Sequence, residues 1–252
     1  MKYSFLFILV TCFLCRKLNA QAKISAGFKL GTAIPGFGVN SSDPVINGYK
    51  NQLAPCFGFV LESGLNEKWS ILNEINYATI SIKKNGSQVV PQSAYANLNL
   101  SAFNFPDYLY ANFESKINIK YVEIPIMLKY YVYQNDKMNF FVNGGGFAGL
   151  LTYSNVKTKG AGKVYTDAAH TNSLTPFPLN LNQEQDIQDR LEGINYGVQG
   201  GIGYTLSGNI GELFVNLNGT FGLKNMQLSK ADGKNKSEEA TLCIGYLLHL
   251  SK

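Results

Sequence analysis

The sequence predicts an all-β protein: an eight-stranded, antiparallel, up-and-down transmembrane β-barrel with four long extracellular loops. Three observations predict it. Large apolar residues alternate with small or polar ones in eight segments. The connections between segments alternate strictly between short and long, the layout of outer-membrane barrels. The small and polar face is the one that converges, and an eight-strand barrel is barely wide enough for its own side chains. The large apolar face then looks outward, which an exported protein sustains only in lipid. The alternative, a soluble ligand-carrying barrel, requires the large apolar side chains inside instead.

Charged residues make up 15% of the 252-residue chain, well below the usual share of roughly 25%. Tyr, Phe and Gly are abundant, which excludes a disordered chain. The first twenty residues, MKYSFLFILVTCFLCRKLNA, carry Lys2, an apolar run over residues 5–14 and a small residue at Ala20. That pattern reads as a secretory signal over residues 1–20, with the barrel domain at 21–252. The apolar run is too short for a membrane anchor. Lipidation at Cys12 is an alternative, disfavoured by Thr11 before it. Of the formal charge of +5, three positives (Lys2, Arg16 and Lys17) fall before Ala20 with no acid among them, leaving +2. Neither that charge nor any basic run supports a nucleic-acid partner. No other segment reaches 18 consecutive apolar residues, so a membrane crossing has to be made by strands.

The elements follow in order. Segment one, about 22–36, sets Ile24, Phe28 and Leu30 against Ser25, Gly27, Lys29 and Gly31. Segment two, 53–65, sets Phe57, Phe59 and Leu61 against Cys56, Gly58 and Glu62. Segment three, 69–83, sets Trp69, Ile71, Ile75 and Tyr77 against Ser70, Glu74 and Asn76. Segment four, 116–133, sets Val122, Ile124, Ile126 and Leu128 against Glu123, Pro125 and Lys129. Segment five, 138–153, sets Phe140, Val142 and Leu150 against Asn143, Gly145 and Gly149. Segment six, 193–206, sets Tyr196, Val198 and Ile202 against Asn195, Gln199 and Gly201. Segment seven, 212–225, sets Leu213, Val215 and Leu217 against Asn216, Asn218 and Thr220. Segment eight, 238–250, sets Leu242, Ile244 and Tyr246 against Glu239, Thr241 and Cys243. Short turns fall at 66–68, 134–137 and 207–211, and long loops at 37–52, 84–115, 154–192 and 226–237. Pro125 is the awkward residue, because it removes a ladder donor in mid-strand.

The stretch Tyr121-Val-Glu-Ile-Pro-Ile-Met-Leu-Lys-Tyr-Tyr131 resembles the most recognisable strand of the PorT-like outer-membrane barrels of Bacteroidetes. AGFKLGTAI, NEINYATI, VNGGGFAGLLTY, NYGVQGGIGYTL, TFGLKNM and CIGYLLHL fit in the same order, so the resemblance covers nearly the whole chain after residue 20. It implies a Gram-negative outer-membrane location and makes Pro125 a family feature. Namesake members are linked to secretion and gliding-associated export machinery. Most relatives are simply outer-membrane barrels of unknown role, so what the resemblance implies is an outer-membrane barrel, with an accessory role in protein secretion or surface assembly implied by the namesake members alone.

The candidate site is a barrel-interior polar cluster: Lys29, Glu62, Glu74, Glu123, Lys129 and Glu239. Charges in a narrow barrel need partners, so they read as a filled plug; the alternative is a proton or solute path. Glu74 and Glu123 lie on neighbouring strands and are expected to share a cation. Cys56 and Cys243 share the interior phase with one strand between them, too far apart for a disulfide, and are expected as two buried free thiols. No catalytic, cofactor or metal site is expected. His170, with Asp167 three residues before it, and His249 lack convergent partners, and Gly144-Gly145-Gly146 lacks the helix and Lys of a phosphate loop. The expected partners are outer-membrane lipid and a protein partner through the long loops. Residues 182–191 (NQEQDIQDRL) are expected to form a short helix. The functional expectation is a non-enzymatic outer-membrane barrel with a packed interior and a structural or interaction role. The alternative is a narrow channel or small-ligand-binding barrel.

Overall fold

A computed structural model describes residues 23–36, 47–91, 106–228 and 236–250. The expected signal sequence and much of the aromatic stretch in loop 84–115 lie outside the described residues. Eight long strands form the wall: β1 (Ile24–Pro35), β2 (Ala54–Gly64), β3 (Trp69–Lys84), β4 (Glu114–Gln134), β5 (Met138–Lys159), β6 (Ile194–Ser207), β7 (Gly211–Gly222) and β8 (Glu238–His249). Each pairs antiparallel with the next, and β1 pairs with β8, so the barrel is closed and has no free edge along its main wall. Among the described residues no helix is long and apolar enough to cross a membrane.

The wall is inside-out relative to a soluble protein. Phe28, Leu30, Phe57, Phe59, Ile75, Val198, Ile202 and Leu242 all point outward and are at least half exposed, Phe59 at 71%. Aromatic residues bound this apolar band at both ends, as membrane interfaces favour. On the short-turn side Trp69 packs on Tyr130 at 4.6 Å, and Phe140 lies between Tyr133 and Tyr204. On the long-loop side Phe57 stacks on Tyr77 at 5.0 Å.

Two of the short turns use one device. Asn66 Oδ1 accepts from the backbone N–H groups of Lys68 and Trp69, and Asn135 Oδ1 accepts from those of Lys137 and Met138. Asn side chains stabilise turns in this way. Pro125 is fully buried and faces the interior. No bulge absorbs it: Asn73 faces Ile126 and Asn76 faces Glu123, the same β3/β4 register on both sides of the gap. The β4/β5 ladder shifts elsewhere, with Thr152 unpaired between Leu151 and Tyr153, and Val132 between Tyr131 and Tyr133.

β4 and β5 run to 21 and 22 residues, well past the apolar band. The upper part of β5 falls in the expected loop 154–192 and is strand instead. Residues Gln183–Asp186 pair with it, followed by a single 3-10 turn at Gln188–Arg190, so the helix expected over 182–191 does not form. A pairing edge left open by β6, which stops opposite Leu150, overrides the helix-favouring composition. On the other side Lys50–Asn51 pairs with β3. The result is an extracellular wall of five paired segments standing above the barrel.

Candidate functional site

The interior is layered along the barrel axis. At the short-turn end lies an open polar vestibule of about 880 Å³, with Ser25, Glu67, Gln134, Glu212 and His249 among its lining residues. Its floor is the first ion pair. Lys129 Nζ donates to Glu62 Oε2 at 2.8 Å, and Tyr131 Oη donates to Glu62 Oε1 at 2.8 Å. The Lys129 ammonium also sits 4.5 Å from the Tyr131 ring centre and 4.4 Å from that of Phe141. A buried ammonium needs such partners, because burial strips its water.

Above this floor lies an apolar layer of Val60, Leu72, Met127, Phe214 and Leu247. Glycines create room for its large rings. A side chain at Gly245 would collide with the Phe214 ring, and one at Gly203 with the Phe141 ring. The interior is therefore not lined by small and polar residues alone, because Gly203 and Gly245 each admit an aromatic ring from a neighbouring strand.

The second polar layer holds Lys29, which donates to Glu74 Oε2 at 2.6 Å; Asn76 Nδ2 donates to the same oxygen at 2.9 Å. Glu123 and Glu239 have no ion-pair partner among the described residues. They face the same cavity as Lys29, of about 20 Å³, room for about one water. The expected sharing of a cation between Glu74 and Glu123 is replaced by a different grouping. The register sets Glu123 opposite Asn76, and Lys29 binds Glu74 alone. Nearby, Asn143 Nδ2 donates to Asn218 Oδ1 at 3.2 Å.

Cys56 and Cys243 are free and buried, with their sulfurs 3.0 Å apart. Gly31 lies between them in the wall, opposite both. Having no side chain, it lets the two thiols meet over its backbone, which strand spacing alone did not suggest. A final apolar layer closes the long-loop end: Ile80, Ile82, Ile119 and Tyr121 from the wall pack with Tyr49, Ile187, Leu191 and Met226 from the connections.

His170 belongs to the extracellular loops. Its ring stacks on Tyr165 at 4.6 Å, its Nε2 is 3.0 Å from Ser87 Oγ and its Nδ1 is 3.3 Å from Asn112 Nδ2. Its φ of 57° is held by these contacts. Asp167 accepts from the backbone N–H groups of Thr171 and Asn172, which hold its carboxyl below the usual range. The residues therefore tie three loop segments together. His249, by contrast, lines the vestibule beside Ser25, 3.1 Å from its Oγ. Among the described residues no group of three or more His, Cys, Asp or Glu side chains could hold a metal.

On the outer wall, Lys83 binds Glu114 at 2.9 Å and Lys157 binds Glu184 at 3.0 Å. The Lys83 hydrogen bond, reinforced by Lys159 and Lys116 nearby, holds the Glu114 carboxyl below its usual range.

A closed wall with an outward apolar band, aromatic borders and buried interior charges is an outer-membrane β-barrel protein, located in the outer membrane. A family model described as outer membrane protein beta-barrel domain matches residues 19–227, and the chain belongs to that family. Among solved structures, the chain is similar to Ail, the attachment invasion locus protein of Yersinia pestis, in complex with the heparin analogue sucrose octasulfate. The two share 9% identity over 90% of this chain and 99% of that one, with a TM-score of 0.37. OprG from Pseudomonas aeruginosa shares 10% identity over 90% and 95%, with a TM-score of 0.39. The protease OmpT from Escherichia coli shares 7% over 90% and 96%, with a TM-score of 0.35. Likenesses this distant add nothing about activity. Comparison with curated proteins returns no match.

Proposed function

We propose that this protein is a non-conducting, non-enzymatic outer-membrane scaffold whose extracellular loops receive a protein partner, as an accessory of protein secretion or surface assembly. The sealed interior carries this reading. Apolar layers lie on both sides of the Lys29–Glu74 level, and the cavity that Lys29, Glu123 and Glu239 line has room for about one water. Exposed apolar side chains at Leu174, Phe177 and Leu179 on the longest loop give a partner something to cover. The PorT-like stretch at residues 121–131 supports the placement in secretion or surface assembly. Purified, folded protein in planar bilayers is expected to show no conductance steps. A photo-crosslinker at Phe177 is expected to capture a protein, whereas one at Asn66 in a periplasmic turn is not. Reproducible conductance lost on blocking the interior overturns the reading. A second reading, a small polar ligand, rests on the periplasmic vestibule, whose size suits one.

A further inference from the structure

The outer face of the extracellular wall carries a basic row that the sealed interior does not explain. Register places Lys50 opposite Lys83, Lys83 opposite Lys116, and Lys116 opposite Lys157. Opposed residues share one face with Cβ atoms about 4.5–5.5 Å apart, and like charges there are destabilising. Lys120 and Lys159 point the same way, below and above the row. Against these six lysines the same face sets Glu114 on Lys83, Glu184 on Lys157, and Asp186. Lys50, Lys116, Lys120 and Lys159 make no ion pair within 4 Å among the described residues, and Lys116 and Lys159 share the field of Glu114, which already binds Lys83.

The height of the row bears on its ligand. Lys120 lies between the rings of Tyr77 and Tyr153, 5.8 and 5.1 Å from their centres, at the rim of the apolar band. That is where outer-leaflet headgroups begin. Lys116 is four residues further along β4, about 13 Å at roughly 3.3 Å per residue. A simple phospholipid phosphate lies at the rim and reaches Lys120 only. A headgroup built of sugars with several phosphates spans both levels.

We propose that this face binds a phosphorylated glycolipid of the outer leaflet, with phosphates lying along Lys50, Lys83, Lys116 and Lys157 and acyl chains on the apolar wall below. The multivalent anion relieves the repulsion within the row, and the membrane supplies it at the required height. The site lies on the outside of the wall, so it does not depend on whether the interior conducts.

The test uses the folded barrel in detergent, with diphosphoryl lipid A as probe and native mass spectrometry as readout. A K83Q/K116Q/K157Q variant is expected to lose roughly a hundredfold in affinity, about a factor of five per lysine near the surface. A K68Q/K137Q control, at the periplasmic turns, is expected to bind as the native protein does. If the triple variant does not fold, K116Q, which breaks no ion pair seen here, is expected to lose about fivefold alone. Undiminished binding by the triple variant, or K116Q in its place, overturns the proposal, as does an equal loss in the control. Inositol hexakisphosphate binding the native protein as tightly as the lipid also overturns it, and makes the ligand a soluble polyanion.

Discussion

Lys129→Met tests the packed interior directly. Lys129 is 1% exposed and its pair with Glu62 is 2.8 Å long. Removing the ammonium leaves the Glu62 carboxylate buried with Tyr131 Oη as its remaining partner. Breaking a buried pair in this way costs about 3–5 kcal/mol. The ring contacts to Tyr131 and Phe141 add about 0.5–2 kcal/mol. Glu62 also borders the open polar vestibule, which moderates the penalty, so the expected loss is about 4 kcal/mol, roughly a thousandfold in the folded-to-unfolded ratio. Replacing both partners (Glu62→Leu with Lys129→Met) is expected to recover most of it, because no charge is then stranded. Trp69 is the only tryptophan of the chain and packs on Tyr130, next to Lys129. Urea unfolding in lipid vesicles can therefore be followed by its fluorescence and by the shift of unboiled protein on a gel. A loss under about 1 kcal/mol, below the range for a broken buried pair, or a double variant no more stable than the single, would show that this layer is solvated and refute the reasoning.

Phe214→Ala removes the ring that fills the space over Gly245 and is expected to cost about 3–5 kcal/mol in the same assay. Cys56 and Cys243 are expected to resist a bulky maleimide in the folded barrel and to react fully in urea; rapid labelling without denaturant would mean the interior is open. His170→Ala is expected to raise tryptic cleavage at Lys163 several-fold while leaving the urea midpoint of the barrel unchanged, because the contacts of His170 join loop segments only. A matching fall in the midpoint would mean that the loops and barrel unfold as one unit.

The eight wall strands were legible because lipid outside and a narrow interior impose a strict two-residue period. Each expected segment lies within a few residues of a strand in the structure. Legibility stopped where the membrane stops. Above the apolar band the outward face of β5 carries Asn155 and Lys157 in place of apolar residues, and Thr152 shifts its ladder with β4, so the segment over 154–159 looked like loop. Residues 183–186 looked helical because Gln, Glu and Asp tolerate a helix, yet a free strand edge captured them. Phase alone placed Lys29, Glu62, Glu74, Glu123, Lys129 and Glu239 on one face, and the first five are buried. Their pairing was not legible in phase, since it depends on register: one strand pair sets Glu123 against Asn76, and Lys29 is left to Glu74.

The sequence by itself determined the class of protein. Alternation, the rhythm of the connections and the outward apolar face depend only on local order along the chain. The tertiary structure decided what is brought together across strands. Lys50, Lys83, Lys116 and Lys157 are dispersed in the sequence, each among uncharged or acidic neighbours as well as basic ones, and form no run. Only the pairing of four segments sets them abreast. The meeting of Cys56 and Cys243 over Gly31 has the same origin. Closure of the barrel makes strands distant in sequence into neighbours, and no local periodicity carries that information.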